Sequence, residues 1–399
     1  MRKTALILII LLANQVFGQA DTLRIATYNL LQFQHENALE RGEFMRTVIN
    51  AIDPDVIVCQ EVGSSFYADY FREEILDPNV YSLAEFVDGP DSDNLMCFKT
   101  EKFDAIHIHD LPLAKVGYEF AKKHNIKLTL DLHENWPALL RIATHTQSIL
   151  GQFLSNDKEW IKYEIKYCKL ADNVIVVVEE AKDRLINLGV EEDKISVVSN
   201  TLNTKHFDLT NHMPNPEFFT LLYAGGINLH RGLQYVIMGL KHLKNTTPKV
   251  RLQILGDGSY LPTLRKLAKD EGVEEIVEFT GWKPYKEMIN YVGKADVCLI
   301  PHVKNDHTNS TIPHKIFQYM YAGKPIIASD CLPIKRIINT TKSGLIYEYN
   351  NPKEFAKAVS SIISDEDLKL NLINSGKNKV LKDYSWEIDS KVLNQLYSG

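Results

Sequence analysis

Two glycine-rich turns and two basic residues in the second half of the chain have the types and spacing to hold an anion. "LLYAGGINLHRGL" (221–233) sets Gly225 and Gly226 after an apolar run and Arg231 just before Gly232. "LQILGDG" (252–258) repeats the arrangement with Gly256, the turn residue Asp257 and Gly258. "NSTIPHKIF" (309–317) offers the hydroxyls of Ser310 and Thr311, then Pro313 near a helix start and Lys315 in its first turn. Glycines at strand ends let backbone N–H groups approach a phosphate, and a helix start adds positive potential. Fixed cations beside them would stabilise a departing diphosphate, the electrostatic help that cleavage of a phosphate ester needs most. Elsewhere, Glu61 ends an apolar run in "DVIVCQEV" (55–62), a sensible place for a hard-cation ligand, although one carboxylate is not a site. His133 ends another such run, in "LTLDLHENWP" (128–137).

The elements that must position these residues read as strand–helix alternation. "LRIATYNL" (23–30), a helix at 41–52 with Phe44, Val48 and Ile52 on one face, and "DVIVCQEV" make a unit whose strands pair most naturally in parallel. A second helix and two short strands, near "YSLAEF" and "NLMCF", follow. From Asp104 the rhythm changes to regular alternation as far as "ISVVSN", with one long helical region at 138–169. Residues 204–217 read as a linker, and a second alternation runs from "FTLLYAGG" to "KPIIAS" before an amphipathic C-terminal helix. Repeated alternation of this kind means α/β domains with doubly wound parallel sheets.

The chain has 399 residues, 45% hydrophobic and 24% charged, enough for two or three domains with real cores. A net charge of −6 does not suit a nucleic-acid carrier. The five cysteines, 59, 97, 168, 298 and 331, form no CxxC pair and no zinc spacing. Three sit in or after apolar runs, as small core hydrophobes do, and the set favours a reducing compartment. The first eighteen residues argue otherwise: Arg2 and Lys3 precede an apolar run from Ala5 to Ala13, with small Gly18 beyond. That is a signal-peptide layout.

Residues 21–102 resemble the endonuclease/exonuclease/phosphatase superfamily through "LRIATYNL" and "PDVIVCQEV". The resemblance implies that Asn29 positions a phosphate or metal ligands and that Glu61 binds a divalent metal, with magnesium as cofactor only if this segment were active. The superfamily's Gly-Asp-x-Asn, central His and terminal Asp-His do not follow Glu61. The expectation is a truncated segment, 19–102, that replaces the start of the first lobe.

The rest resembles the retaining glycosyltransferases of family 4, which have the two-lobed GT-B fold. The resemblance rests on six motifs in order: "FDAIHIHD", "LTLDLHENWP", "ISVVSNTLNTKHFD", "LLYAGGINLHRGL", "LQILGDG" and "PHVKNDHTNSTIPHKIFQYMYAGKPIIASD". It implies an α/β, GT-B-like molecule with two Rossmann-type sheets, the remainder of the acceptor lobe over 103–203, the nucleotide-sugar lobe over 204–385 and a C-terminal helix at 386–399, behind the signal peptide read at 1–18. The expected activity is metal-independent transfer of a sugar, with retention, from a nucleotide-sugar to a glycan or lipid-linked acceptor. No nucleic-acid partner is expected, and peripheral membrane association is compatible with the chemistry.

The resemblance implies His133 at the donor sugar, Arg231 and Lys315 on the diphosphate, and Gly225, Gly226, Gly256, Asp257, Gly258, Ser310 and Thr311 around the donor. Gln318 stands where the family has the second Glu of its E-x7-E motif, facing the ribose, and Ser310 where it has the first. Gly226 stands in place of a loop arginine. His107 and His109 read as packing or loop-orienting residues, and Tyr319 and Met320 as core. The rival readings are a secreted metal-dependent nuclease or phosphatase fragment and a non-catalytic nucleotide-sugar-binding chimera. Localisation is divided between a leader that directs export and a donor found in the cytoplasm. The expected switch between the two resemblances lies at Lys99–Asp104.

Overall fold

The computed structural model describes residues 25–33, 42, 45–47, 49–50, 53–62, 65–83, 94–99, 105–142, 157–204, 207, 217–244 and 249–397. The leader, most of the expected linker at 204–217, residues 100–104, and Phe44, Val48 and Ile52 lie outside them. The chain divides into two compact units, one of residues up to 106 with 115–128, the other of 107–114 with 129–399.

The first unit is a four-stranded sheet. Strands β1 (Ile25–Phe33), β2 (Val56–Val62), β3 (Tyr81–Leu83) and β4 (Asn94–Lys99) lie in the order β1-β2-β4-β3. β1 and β2 are parallel from Ile25↔Val56, as expected, and β2–β4 and β3–β4 are antiparallel. Period-two alternation buries Ile57 and Cys59 on one face of β2 against Met45, Ile49, Phe71 and Ile75. Met45 and Ile49 are thus the described helical residues that reach this core. Asp53, in the left-handed region at φ 47°, closes that helix ahead of Pro54.

Two further sheets follow along the chain, and the all-parallel one lies wholly in the second unit. β5 (Ala105–His109), β6 (Lys127–Leu132), β7 (Asn173–Val176) and β8 (Ile195–Val197) lie in that order, with β6–β7 and β7–β8 parallel. Helices α1 (Ser65–Tyr70), α2 (Ala114–His124), α3 (Trp136–Ile142), α4 (Asp157–Leu170) and α5 (Glu179–Asn187) precede β8 in the chain. Residues 143–156, inside the expected helix of 138–169, lie outside the description. β9 (Phe218–Ala224), β10 (Lys249–Leu255), β11 (Val277–Gly281), β12 (Val297–Ile300), β13 (Ile326–Ser329) and β14 (Gly344–Tyr347) form an all-parallel sheet ordered β11-β10-β9-β12-β13-β14.

Buried on both faces, the central strands of this sheet are continuous apolar runs: Leu221, Leu222 and Tyr223 are fully buried, as is all of β12. The helices are α6 (Leu233–Leu240), α7 (Leu261–Asp270), α8 (Tyr285–Lys294), α9 (Lys315–Tyr321), α10 (Leu332–Thr341), α11 (Pro352–Ser364) and α12 (Glu366–Asp383). The last helix, α13 (Trp386–Tyr397), returns toward the β5–β8 sheet: Trp386 N donates to Leu202 O at 3.0 Å, and the Tyr397 hydroxyl meets His107 Nδ1 at 2.6 Å.

The strand order matters for function. From β9 the chain moves to β10 and β11 on one side, then to β12, β13 and β14 on the other. Such a reversal opens a crevice outside the carboxyl ends of β9 and β12, where ligands of open α/β sheets bind. All five cysteines are buried and free, as hydrophobic packing residues. Among the described residues no helix is long and apolar enough to cross a membrane.

Candidate active site

A cavity of about 450 Å³ lies at that crevice. Gly225 and Gly226 follow β9, Gly256 and Asp257 follow β10, and Lys315 and Gln318 come from α9; all six line it. The turns hold one another in register. Gly225 N donates to Leu255 O at 2.9 Å, Gly256 N to Gly281 O at 2.9 Å, Ile227 N to Asp257 O at 2.9 Å, and Gly258 N to Asp257 Oδ1 at 2.7 Å. This corrects the expected phosphate cradle. The amides of Gly225, Gly256 and Gly258 are spent on the loops themselves, and the exposed Gly226 is left to offer its N–H to a ligand. Asp257 is a turn residue whose side chain braces its own loop.

The charges fit an anion. Lys315 Nζ donates to Ala224 O at 2.8 Å, lies 4.2 Å from the centre of the Tyr223 ring, and makes no ion pair among the described residues. Loss of solvent, with Arg231 nearby, pushes its ammonium well below the usual lysine range. Arg231 likewise makes no ion pair among the described residues, although its charge reaches Glu134: its Nη1 lies 3.1 Å from His302 Nε2, and its Nε is buried without a hydrogen bond. His302 must accept that bond, so its ring is neutral. Burial and then the Arg231 charge push His302 well down, while His230 and His307 are lowered to about 4, by burial first and then by Arg231 and His230 respectively. Two cations stand beside three neutral imidazoles and one carboxylate, Glu134, whose Oε2 lies 3.4 Å from His307 Nε2, which leaves net positive charge for an incoming anion.

The first lobe contributes a separate group. Asp131 is the penultimate residue of β6 and His133 follows the strand, with His133 Nε2 3.1 Å from Asp131 Oδ2. The hydrogen bond to Asp131 raises the His133 pKa against the opposing effect of burial. Two residues on, Asn135 caps α3 by accepting from Ala138 N at 3.3 Å, and its amide donates to Ser310 Oγ at 3.0 Å. Ser310 donates in turn to Asp306 O at 2.7 Å. Arg141 pairs with Asp306 at 2.8 Å, and Arg336 of α10 pairs with Glu179 and Glu180 at the start of α5. These contacts tie the first-lobe helices α3 and α5 to the loop before α9 and to α10.

The structure therefore divides the expected site. Gly225, Gly226, Gly256, Asp257, Lys315 and Gln318 surround one cavity. Gly258 braces the turn behind it, and Arg231 stands beside it at the end of a short 3-10 turn, Leu229–Arg231. Ser310 faces a second cavity of about 590 Å³ with Asn135, Arg141 and Glu180, while Thr311 lines neither cavity. His133 lines neither cavity as well. Tyr319 and Met320 are buried as expected, and Tyr319 also reaches the first cavity's wall. His107 and His109 are exposed, which corrects the packing role expected for them.

Sequence reasoning missed Trp282, Lys283, Tyr285 and Met288, which complete the first cavity after β11 and at the start of α8. Trp282 is 73% exposed and Tyr285 48%. The two aromatics within "GWKPY", Trp282 and Tyr285, were the available signal.

Residues 43–206 match the model of Glycosyltransferase Family 4, and residues 205–379 that of Glycosyl transferases group 1. The first match begins well inside the segment expected to be nuclease-like and runs past the expected switch at Lys99–Asp104. Among curated relatives, a glycosyltransferase of Methanocaldococcus jannaschii is 23% identical over 342 residues, 82% of this chain and 83% of its own length. An Escherichia coli glycosyltransferase named for colanic acid biosynthesis is 25% identical over 220 residues, and the match spans about half of either protein, 53% of each. Of solved structures, Anabaena HepE in complex with UDP aligns with TM-score 0.64 at 12% identity, over 94% of this chain and 100% of that one. Sucrose-phosphate synthase from Thermosynechococcus elongatus aligns with TM-score 0.58 at 17% identity, over 74% and 73%. Both likenesses concern the fold, which is GT-B-like.

Proposed function

We propose that this chain, an enzyme built from two glycosyltransferase domains, transfers a sugar from a nucleotide-sugar donor to a glycan or lipid-linked acceptor with retention of configuration. The observation that carries the reading is Lys315, an ammonium without a carboxylate partner at a cavity edged by glycine turns. Such a charge is costly unless a ligand completes it. A diphosphate in that place would be held by Lys315, by Arg231 and by the Gly226 amide. Their pull on the departing oxygens grows as the bond to the sugar breaks.

Gln318, buried in the same wall, would take the ribose hydroxyls through its amide, and Trp282 with Tyr285 would flank the base. Asp131 holds the His133 ring, which would meet the transferred sugar from the first lobe. The fold neighbours solved with UDP support a nucleotide donor, and the curated names support a saccharide acceptor. The rival reading of Asn29 and Glu61 as a hydrolytic metal site is not favoured, because the family 4 match passes through Glu61.

Calorimetry with UDP and GDP, followed by product analysis with the matching sugar donors, tests the proposal. The expected result is binding tighter than about millimolar that Lys315→Met weakens, and a product with the donor's anomeric configuration. No binding of either nucleotide, or an inverted product, would refute it.

A further inference from the structure

Side chains at positions i and i+2 of a strand share a face. His107 and His109 have that spacing on β5, and Asp131 and His133 have it at the end of β6, the neighbouring strand. The outcome is a convergence on one atom. Asp131 Oδ2 lies 3.2 Å from His107 Nε2, 3.4 Å from His109 Nδ1 and 3.1 Å from His133 Nε2. The other carboxylate oxygen, Oδ1, is buried with no hydrogen-bond partner. The His109 and His133 rings stand with centroids 4.2 Å apart.

Hydrogen bonding alone is a poor account of this arrangement. An ionised carboxylate accepts on both oxygens, yet here three imidazoles crowd one and none meets the other. Coordination accounts for it better. A first-row divalent ion binds His nitrogen and carboxylate oxygen at about 2.0–2.2 Å, so its ligand atoms stand about 2.8–3.6 Å apart, whether octahedral or tetrahedral. The edges from Asp131 Oδ2 to His133 and His109 fall in that range, and the ligand atoms of all three residues lie within 4.8 Å of one another.

We propose that His109, Asp131 and His133 form a binding site for a divalent first-row transition ion, zinc by its two-imidazole, one-carboxylate donor set. His107 is a positioning residue. Its Nδ1 is held by the Tyr397 hydroxyl at 2.6 Å and its Nε2 steadies Asp131, the outer support that ligating carboxylates commonly have. Tyr397 belongs to α13, so the C-terminal helix and the ion site support each other. Three protein ligands leave a coordination position for water or a ligand oxygen at the edge of the β5–β8 sheet.

The site goes beyond the transfer reading, although the two share His133. Its test uses the metal alone, without nucleotide or sugar, so its failure and the failure of the transfer reading are distinguishable. The full chain, stripped with chelator, is dialysed against micromolar zinc, and bound metal is quantified. Cobalt(II) is titrated in parallel and followed by its ligand-field absorption. Wild type and His242→Ala, a change at an exposed histidine far along the chain, should each bind one ion per chain. His109→Ala and Asp131→Asn should lose it, and His107→Phe should weaken it by about 10- to 100-fold. His109 is exposed, so its variant should melt like wild type in metal-free buffer, which separates loss of a ligand from loss of fold. Failure of wild type to hold stoichiometric zinc, or unchanged zinc affinity and cobalt spectrum in His109→Ala, would overturn the proposal.

Discussion

Lys315 Nζ stands 2.8 Å from the carbonyl oxygen of Ala224, and a Cβ added to Gly225, the next residue, would come equally close to that ammonium at 2.8 Å. The lysine and the bare backbone are fitted to each other. Lys315→Met should weaken nucleoside diphosphate binding about tenfold or more, since a charge-assisted hydrogen bond is worth about 1.5–3 kcal/mol. The same change should leave the melting temperature equal or higher, because it removes a buried cation that has no carboxylate to neutralise it without ligand. A purely structural lysine would show the reverse: lower melting temperature and unchanged affinity. Calorimetry and thermal melts on one preparation read both.

Arg231 should carry an unusual share of the diphosphate contact, because Gly226 supplies no side chain to help it. Arg231→Ala is expected to weaken nucleotide binding by roughly ten- to a hundredfold. Arg231→Lys should recover much of that if the contact is a point charge and little if it is a two-pronged fork. Gln318→Glu should be far milder, since ribose hydroxyls can donate to either side chain. An Arg231→Ala affinity equal to wild type, with binding destroyed in Gln318→Glu, would move the diphosphate away from this loop.

Trp282 should report occupancy directly. An exposed indole at the cavity rim is placed to stack on a base, and stacking of this kind is worth about 1–3 kcal/mol. Trp282→Ala should raise the nucleotide Kd by roughly five- to a hundredfold. Fluorescence of the wild type should change on addition of nucleotide, and that change should vanish in the variant.

Gly232 tests the loop that presents Arg231. Its φ is 73°, and a Cβ there would lie 1.7 Å from Pro301 O. No rotamer relieves a clash with backbone, so Gly232→Ala should destabilise by more than about 1 kcal/mol and lower the melting temperature by several degrees. An unchanged melt would mean that the loop after β12 has room to shift.

Asp389 sets a pH dependence. Burial beside Thr201 lifts its carboxyl from 3.8 to about 6, against the hydrogen bonds from Thr201 and Ser199. The folded state therefore favours the protonated form. The stabilisation is complete below the unfolded value and is lost as pH rises through about 6. Asp389→Asn mimics the protonated form at every pH. Its melting temperature should match wild type near the unfolded value of 3.8 and exceed it near neutrality, with the gap opening between. A gap that is constant with pH would show that Asp389 does not titrate in this range.

Much of this molecule is local, and so was readable along the chain. Alternating apolar runs and amphipathic stretches define parallel sheets because strand and helix periods are properties of neighbouring residues. The glycines after β9 and β10 mark turns for the same reason, and the isolated cysteines in apolar runs belong in the core. The set that surrounds the first cavity could be named in large part, since strand ends at a switch point are where α/β sheets put their ligands.

Only the tertiary structure decided how those residues are used. Parallel strands are joined by crossovers, so β9 and β12 become neighbours although more than two helices of chain separate them. The pairing of β9 with β10 and of β10 with β11 spends the amides of Gly225 and Gly256 on the neighbouring strand ends and leaves Gly226 for a ligand. It also brings Trp282 and Tyr285 to the cavity, and turns Ser310 toward Asn135. The pairing of β5 with β6 gathers three imidazoles around Asp131, a grouping that spacing along either strand does not contain. Hydrogen-bond partners and charge environments depend on distance in space, and a one-dimensional pattern carries that distance only where the chain itself bridges it.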